Sequence, residues 1–509
     1  MLIINIKKDY YAYLSVDIND NGKLFNLIKK SFTRTEKVYN NLYRMYETRT
    51  KIFYSVVEQG KYIKIKAGVV PYLTASLDKV GIKYIVKDER NTYNQSVVIN
   101  AKLNDETELR DYQYEAASIG VKERFGCIQL PTGTGKTEVS AAMIKAFLNV
   151  HFKEALVYVV PTCRLQTESV ERFNKYNIKT NTEFPIKVGC VNVITYLAMV
   201  RADNNKFDYR QRNSVGAIIF DECHKLSADK ASKITHRLPN LRMSIGMSAT
   251  TSSDTDNKTY LKELNSKELL VYGCTGPILY KMDIQESIDD KFVVPIEVRV
   301  VEYNSEHKLS EDENDWHLIK RVLLKDENRA KFVADYTQHI VNDANLNTVV
   351  LLTPEVGWSQ LYMKYVAENF KEDKDIHIFE LYGNNRIIYH KKNGKTMEVK
   401  TQEQKDNIWK MLKDPSIRTV FSATTFLYEG IDIPCIQALI NCGSGRDSKR
   451  VRQQLGRCMR LFKDKSIAYI HEIKDKGNVV LESQFRHRID IYKEEYDARI
   501  IYSSFGKEK

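Results

Sequence analysis

The stretch Leu130-Pro131-Thr132-Gly133-Thr134-Gly135-Lys136-Thr137 constrains this chain more than any other. A short apolar run, Cys127-Ile128-Gln129-Leu130, leads into it, and Glu138 to Asn149 behind it reads as a helix. Strand, glycine loop, Gly-Lys-Thr and helix is the order of a phosphate-binding P-loop. Glycines let successive backbone N–H groups turn inward toward phosphate oxygens. The helix N-terminus adds donors and a favourable dipole. In this reading Pro131, Thr132, Gly133, Thr134 and Gly135 line a nucleotide. Lys136 reaches its β/γ-phosphates and Thr137 holds Mg²⁺. Leu130 stands where the pattern usually has its first glycine. An ordinary Gly-rich strand-to-helix turn is the plain alternative, so the downstream residues decide.

At 509 residues the chain exceeds one core, and roughly two to four domains are expected. With 43% hydrophobic and 28% charged residues it reads as soluble. No run approaches the ~18 apolar residues of a membrane span. Met1 to Val16 alternates like a strand and does not read as a signal peptide. The expected location is cytoplasmic. Eight scattered cysteines form no CxxC pair, which suits buried reduced thiols better than zinc or disulfides. The net charge is +12, and residues 1–105 carry 18 Lys and Arg against 10 Asp and Glu, hence +8 of it. A basic balance suits a polyanionic partner, and it also suits a merely solvated basic surface.

Residues 1–105 read as a small separate α+β unit. Leu2–Ile6 and Tyr11–Val16 are expected strands and Leu24–Phe32 a helix. Ile52–Val57 and Lys61–Lys66 form a hairpin about Glu58-Gln59-Gly60. A break at Gly68 and Pro71, a helix from about Tyr72 to Val80, and a strand Ile82–Lys87 follow. Lys87–Gln95 reads as linker. From Leu109 the pattern becomes strand–loop–helix repeated, which argues an α/β fold with parallel sheets. One set of strands runs through Ala155–Val160, Ala217–Phe220 and Arg242–Met247. A second set runs through Thr348–Thr353, Ile376–Leu381, Thr419–Ser422, Ala438–Cys442 and Ser466–His471. The boundaries expected are 1–105, 106–285, 286–475, and a helical extension over 476–509. In that extension Arg486, Arg488 and Lys493 could touch DNA, though packing is the preferred role.

The chemistry gathers at strand ends. Asp221-Glu222-Cys223-His224 follows the apolar strand Ala217–Phe220, 85 residues beyond Lys136. Asp221 can hold Mg²⁺ and Glu222 can orient or deprotonate an attacking water. Upstream, Leu109-Arg110-Asp111-Tyr112-Gln113 precedes the P-loop. Gln113 offers the paired donor and acceptor of an adenine edge, with Arg110 beside it; a helix start is the plain alternative. Thr162 and Arg164, after the strand Ala155–Val160, and Thr195, ending another, suit nucleic-acid phosphates or helix caps. Ser248-Ala249-Thr250 could link the acid pair to the nucleic-acid side, or cap a helix. Thr424 to Pro434 contains Gly430 and Asp432. Gln453-Gln454-Leu455-Gly456-Arg457-Cys458-Met459-Arg460 reads as a helix on which Arg457 and Arg460 share one face. Two guanidiniums there can clamp a γ-phosphate, with Gln453 nearby.

LRDYQ, LPTGTGKT, PTCRL, DECH, SAT, ATTFLYEGIDIP and QQLGRCMR, in this order, resemble the motor motifs of superfamily 2 helicases. DECH places the resemblance among DExH proteins, and the whole is similar to the XPB-like and phage UvsW-like group. Lys66–Asp88 resembles, more weakly, the end of the small N-terminal domain of UvsW-type helicases. The resemblance implies two RecA-like parallel-sheet domains in tandem, with ATP and Mg²⁺ between them. Lys136, Thr137, Asp221 and Glu222 come from the first domain, Arg457 and Arg460 from the second. His224, Ser248 and Thr250 couple hydrolysis to the nucleic acid. It implies a nucleic-acid-stimulated ATPase acting on branched or partly single-stranded DNA, with RNA in hybrids a further substrate. No membrane or particular protein partner is implied.

Outside that core, Arg386–Lys400 centres on Asn393-Gly394, the strongest short hairpin signal. Its lysines, Lys391 and Lys392 among them, suggest a pin or gripping hairpin, or a decorative surface loop. Glu398-Val399-Lys400 lacks an upstream Pro-Asp, so nuclease chemistry is not read. Three other functions stay open on sequence alone. They are an RNA helicase, an ATP-switched annealing or clamp protein, and a translocating subunit of a larger machine.

Overall fold

The computed structural model describes residues 2–16, 23–40, 45–202, 206–228, 230–249, 258–304, 326–344, 346–383, 386–391, 393–424, 433–443, 447–503 and 505. The chain divides into two compact units, Met1–Leu130 with Gly135–Met282, and Pro131–Thr134 with Asp283–Lys509.

The first unit opens with β1 (Leu2–Ile6) and β2 (Tyr11–Val16), paired antiparallel with Ile4 opposite Leu14. β3 (Thr33–Asn40) and β4 (Met45–Ile52) make a two-stranded ribbon of their own. β5 (Ser55–Val57), β6 (Tyr62–Lys66) and β7 (Tyr84–Asp88) complete a five-stranded sheet in the order β5-β6-β2-β1-β7. Successive side chains on a strand point to opposite faces. Leu2, Ile4, Ile6, Ala12, Leu14, Ile63 and Ile65 therefore share one buried face. Helices Lys23–Ser31 and Val70–Lys79 join the same core through Ile28, Leu73 and Leu77. Ile52–Val57 is not one strand, because Phe53 and Tyr54 separate β4 from β5. The hairpin of β5 and β6 is as expected, and Glu58 and Gln59 turn it with φ of 52° and 54°.

This small sheet does not stand apart from the residues that follow. The Tyr10 hydroxyl donates to the Thr275 carbonyl at 2.8 Å, and the Arg34 guanidinium to the Leu261 and Leu264 carbonyls, both at 2.8 Å. Lys66 Nζ donates to the Ser232 carbonyl at 2.9 Å. A Cβ at Gly68 would lie 2.0 Å from the Tyr272 carbonyl oxygen, so the break seen there is a close approach of two backbones. The polar segment expected as a linker is tied down along this seam. Asn91 Nδ2 donates to Asn240 Oδ1 at 3.1 Å, and Arg124 donates to the Asn91 carbonyl at 2.8 Å.

The larger sheet of the first unit contains β8 (Phe125–Gln129), β9 (Ala155–Val160), β10 (Thr180–Asn181), β11 (Val191–Thr195), β12 (Val215–Asp221), β13 (Met243–Ser248) and β14 (Ile278–Lys281). Their order is β10-β11-β9-β12-β13-β8-β14, and every pairing is parallel. Helices cover both faces of such sheets, so strands are buried throughout and read as continuous apolar runs. β9, β11 and β13 are buried at every position.

The second unit is built on β15 (Ile296–Asn304), β16 (Thr348–Leu352), β17 (Ile376–Tyr382), β18 (Arg386–His390), β19 (Thr396–Val399), β20 (Arg418–Ala423), β21 (Ala438–Asn441), β22 (Ala468–Lys476) and β23 (Arg499–Tyr502). The order is β19-β18-β17-β20-β16-β21-β22-β15-β23. Only β17·β18 and β18·β19 are antiparallel among the described pairs. The two large sheets are thus an α/β fold of two parallel-sheet, RecA-like layers. Seven cysteines are buried and Cys163 is exposed, a departure from the all-buried expectation. No described helix is long and apolar enough to cross a membrane.

The C-terminal stretch adds a strand as well as the expected helix, since β23 pairs with β15. Helix Val479–Tyr496 is fixed by one buried carboxylate. Glu472 accepts from Arg488 Nη2 at 2.7 Å, the Tyr492 hydroxyl at 2.6 Å and Asn441 Nδ2 at 2.9 Å. Arg488 is therefore a packing residue and not a DNA contact. Removing one partner of a buried pair leaves an uncompensated charge and costs about 3–5 kcal/mol. Arg488→Met is expected to lower the melting temperature of the protein clearly. The exposed Arg486→Met should stay within about 0.5 kcal/mol of the parent. Equal melts for the two variants would show that the buried pair carries no stability.

Candidate nucleotide and nucleic-acid site

Parallel pairing brings the C-terminal ends of the central strands of the first unit to one edge. Asp221 lies opposite Met247 across β12·β13, and Ser248 opposite Gln129 across β13·β8. The acid pair, the Ser248 hydroxyl and the entry to the glycine loop therefore lie side by side. Val160 and Thr195 end β9 and β11 on the other side of β12. Ligands of open α/β sheets bind beyond such strand ends.

The loop residues adopt the conformations that glycine permits. Gly133 and Gly135 have φ of 94° and 85°, where a side chain would be strained. Thr134 is buried and its hydroxyl donates to the Pro131 carbonyl at 2.8 Å. Lys136 opens the helix Lys136–Val150, with Thr137 next, and its ammonium donates to the Leu130 carbonyl at 3.3 Å. Leu130, in place of a glycine, is wholly buried and its N–H donates to the Ser248 carbonyl at 3.1 Å. A leucine fits because that position packs inward.

Gln113 is buried against this loop. A Cβ at Gly135 would lie 2.2 Å from its Nε2. Its Oε1 accepts the Arg110 backbone N–H at 2.9 Å, closing the first turn of helix Asp111–Glu123. Arg110 Nη1 donates to the Tyr112 hydroxyl at 3.3 Å. The helix-start role set against adenine reading is thus present, and the amide still adjoins the loop.

The acid pair is held on a strained turn. Glu222 has φ 49° and ψ 54°, uncommon for a residue with a side chain. Its N–H donates to Asp221 Oδ1 at 3.1 Å. The Ser248 hydroxyl donates to Glu222 Oε2 at 3.2 Å, and His224 Nδ1 lies 3.2 Å from the same oxygen and 3.3 Å from Ser248 Oγ. Glu222 and His224 of the acid motif and Ser248 of the later stretch thus form one cluster. Tyr196 escaped notice: its hydroxyl donates to the Asp221 carbonyl at 3.0 Å. Only its place beside Thr195 could have pointed to it. Thr250 lies outside the described residues.

Thr162 and Thr195 are helix caps. Thr162 Oγ1 accepts the Leu165 N–H at 3.3 Å and Thr195 Oγ1 the Ala198 N–H at 3.2 Å. Arg164, near the start of helix Cys163–Lys175, pairs with Glu168 one turn on at 2.9 Å.

In the second unit Thr424 directly follows β20 and is buried. Gly430, Asp432 and Lys392 lie outside the described residues. Arg457 sits in helix Ser448–Cys458 with Gln453, but Arg460 does not. The expectation that Arg457 and Arg460 share a helix face is corrected. The helix stops at Cys458, the Met459 carbonyl accepts the Val294 N–H at 2.8 Å, and Arg460 is bridged to Val293 in extended form. A spacing of three places two residues on one face only while the helix continues, and Arg460 lies two residues past its end. The Asn-Gly hairpin is also not a free pin, because β18 pairs along β17 and widens the sheet. His390 is buried there, with Nε2 2.6 Å from Glu380 Oε1. Its tip is a longer turn than the two-residue form. The Lys391 N–H donates to the Lys395 carbonyl at 2.8 Å, the Gly394 N–H to the Lys391 carbonyl at 3.0 Å, and Gly394 has φ 77°. Lys391 and Lys395 remain exposed on it.

Two family models match the chain: "Type III restriction enzyme, res subunit" over residues 106–253 and "Helicase conserved C-terminal domain" over residues 336–462. The chain is 29% identical over 415 residues to the DNA 3'-5' translocase XPB2 of Sulfurisphaera tokodaii, covering 76% of this chain and 86% of that one. It is 20% identical over 396 residues to the ATP-dependent DNA helicase UvsW of Enterobacteria phage T4, covering 74% of this chain and 70% of that one. In fold it is similar to the DNA-bound ATP-dependent Type ISP restriction-modification enzyme LlaBIII, with TM-score 0.55 and 15% identity over 86% of this chain. This chain spans 34% of the length of that enzyme. With both motor stretches matched by helicase-type models and the ordered strand-end motifs set on two parallel sheets, the chain belongs to superfamily 2 of the helicases, as an ATP-driven helicase or translocase related to XPB2 and UvsW.

Proposed function

We propose that this protein is a DNA-stimulated ATPase that translocates on and remodels branched or partly single-stranded DNA, in repair or recombination of the phage type. The observation that carries the reading is the shared contact of Glu222, His224 and Ser248, which ties a hydrolytic carboxylate to a neighbouring strand end. The relationship to a DNA translocase and a DNA helicase supports DNA over RNA.

The loop Pro131–Gly135 and the start of the following helix bind the ATP phosphates, with Lys136 supplying the counter-charge. Thr137 and Asp221 offer hard oxygen donors. That set suits Mg²⁺, which keeps most of its positions for water and phosphate oxygens. When bound, the ion neutralises phosphate charge. Glu222 orients the attacking water and accepts its proton. Ser248 and His224 fix the carboxylate for that task, and Tyr196 holds the preceding peptide. Arg457 and Arg460, with Gln453, stabilise charge on the γ-phosphate, while Gly430 and Asp432 take part in nucleotide binding. Gln113 and Arg110 select the base. Thr162, Arg164, Thr195, Thr424, Lys391 and Lys392 face the DNA backbone, whose phosphate contacts carry little sequence information. Thr162 and Thr195 sit at helix starts, where N–H groups suit phosphates.

Lys136→Ala is expected to lose both ATP binding and turnover. Glu222→Gln should keep ATP binding and lose turnover by roughly 10²- to 10⁴-fold. Nucleotide-binding and steady-state ATPase assays check both, and normal turnover in either variant sinks the assignment. His224→Ala separates hydrolysis from coupling. Its basal ATPase should fall less than its stimulation by DNA, and an unaltered ratio of stimulated to basal rate would remove His224 from the coupling path. The substrate is tested by ATPase with single-stranded DNA, plain duplex, a four-way DNA junction and matched RNA. The junction is expected to stimulate most. Stimulation by RNA alone would overturn the DNA reading, and binding and pairing without steady hydrolysis would favour a clamp.

A further inference from the structure

Among the described residues, the α-helices Lys23–Ser31 and Val70–Lys79 join one face of the five-stranded sheet near the N-terminus. Its other face carries the alternate residues: Tyr11 and Tyr13 on β2, and Tyr62, Lys64 and Lys66 on β6, all partly exposed. Tyr13 lies opposite Lys64 and Tyr62 opposite Ser15 across β2·β6. The Tyr13 and Tyr62 rings meet edge to face, with centroids 6.5 Å apart. Lys64 Nζ stands 3.8 Å from the Tyr11 ring centroid and 5.4 Å from that of Tyr13, and Lys61 Nζ 5.2 Å from that of Tyr62. One end of this face is closed, since His236 stacks on Tyr11 at 4.0 Å and Lys66 donates to Ser232. The Tyr13–Tyr62 end has no such cover among the described residues. Asp9 and Glu58 are acidic groups near this side. Asp9 accepts the Tyr13 hydroxyl at 3.1 Å, which fixes the ring by its edge, and lies 4.0 Å from Lys64 Nζ.

Tyrosines on a sheet face with ammonium groups above them answer two features of one kind of ligand. Unpaired bases offer π-faces to stack on aromatic rings, and the backbone beside them offers anions to lysine. The +8 balance of residues 1–105 matches a polyanion. A duplex presents its phosphates but not its base faces, so the aromatic part of the surface would be unused by it. We propose that the Tyr13–Tyr62–Lys64 face binds single-stranded DNA by base stacking, as a second DNA site on the motor-bearing unit. This rests on the reading of the chain as a DNA motor, and it adds a place where a displaced or unpaired strand is held.

The test uses the full-length protein. Thymidine oligonucleotides carrying 5-iododeoxyuridine are photocrosslinked and the attached peptides identified, and affinities for a labelled single strand and a blunt duplex are measured by anisotropy. Base–aromatic stacking is worth about 1–3 kcal/mol per base, so Tyr13→Ala/Tyr62→Ala should weaken single-strand binding by roughly tenfold or more. Tyr13→Phe/Tyr62→Phe should keep it, and blunt-duplex binding should change little. Crosslinks are expected in residues 11–15 or 61–66. ATP turnover at saturating DNA should be unaltered in both variants, as should their melting temperatures. Unchanged single-strand affinity, phenylalanine variants as weak as alanine ones, an equal loss for duplex, or crosslinks confined to the motor stretches would each overturn the proposal. Those results with normal DNA-stimulated, Lys136-dependent ATPase would leave the motor reading standing, whereas absent DNA stimulation in the parent protein would remove that reading itself.

Discussion

Parallel strand pairing is the constraint on which the site depends. In an antiparallel sheet, adjacent strands end at opposite edges. Here β8, β13 and β12 run parallel as consecutive neighbours, so Leu130, Ser248 and Asp221 emerge together. No long-range side-chain contact is needed to assemble them. Burying these strands is enough, because register in a doubly covered sheet follows from packing apolar runs against helices on both faces. The carbonyl of Ser248 then accepts the Leu130 N–H, and the carbonyl of Leu130 accepts from Lys136. The entry to the loop and the strand end that carries Ser248 are thus joined through backbone as well as by position.

The same economy explains the seam between the N-terminal sheet and the first motor layer. Gly68 admits the Tyr272 carbonyl, and Tyr10, Arg34 and Lys66 each satisfy a main-chain carbonyl on the other side. Carbonyls at loop ends need partners when buried, and these three side chains supply them, Tyr10 from the turn between β1 and β2, Arg34 from the β3·β4 ribbon and Lys66 from β6. The N-terminal sheet is thereby part of the first compact unit.

What could be read from sequence divides along the same physical line. Motifs whose chemistry needs a fixed residue at a fixed spacing were legible, and so were strands buried on both faces, such as β9, β12 and β16. The ribbon of β3 and β4 was not. Thr33 to Asn40 and Met45 to Ile52 have no apolar alternation, since neither face of most of that ribbon is buried. Arg460 was misplaced because helical spacing says nothing of where a helix stops, and it stops when a bridge to Val293 takes over. Arg488 was set between a DNA contact and packing, with packing preferred, and its pair with Glu472 on the preceding strand β22 makes it packing; helical spacing alone could not show that partner. The Asn393-Gly394 hairpin was legible as a hairpin, but its pairing with β17, which makes it a sheet edge, is a long-range fact.

Thr162 and Thr195 show why two readings of one residue need not compete. Each was set between a phosphate contact and a helix cap, and each is a cap. A capped helix start presents its remaining N–H groups beyond the strand end, and those groups are what a phosphate would meet. The cap therefore builds the surface that the contact would use. At Thr195 the arrangement reaches further. The cap starts the short helix whose first residue, Tyr196, donates to the Asp221 carbonyl, and Asp221 precedes the strained Glu222. A residue held at φ 49° is a poor resting conformation by itself, so its surroundings decide it: Tyr196 behind, Ser248 and His224 in front. A phosphate that shifted the Thr195 turn would move Tyr196 and, with it, one of the supports of the Glu222 turn.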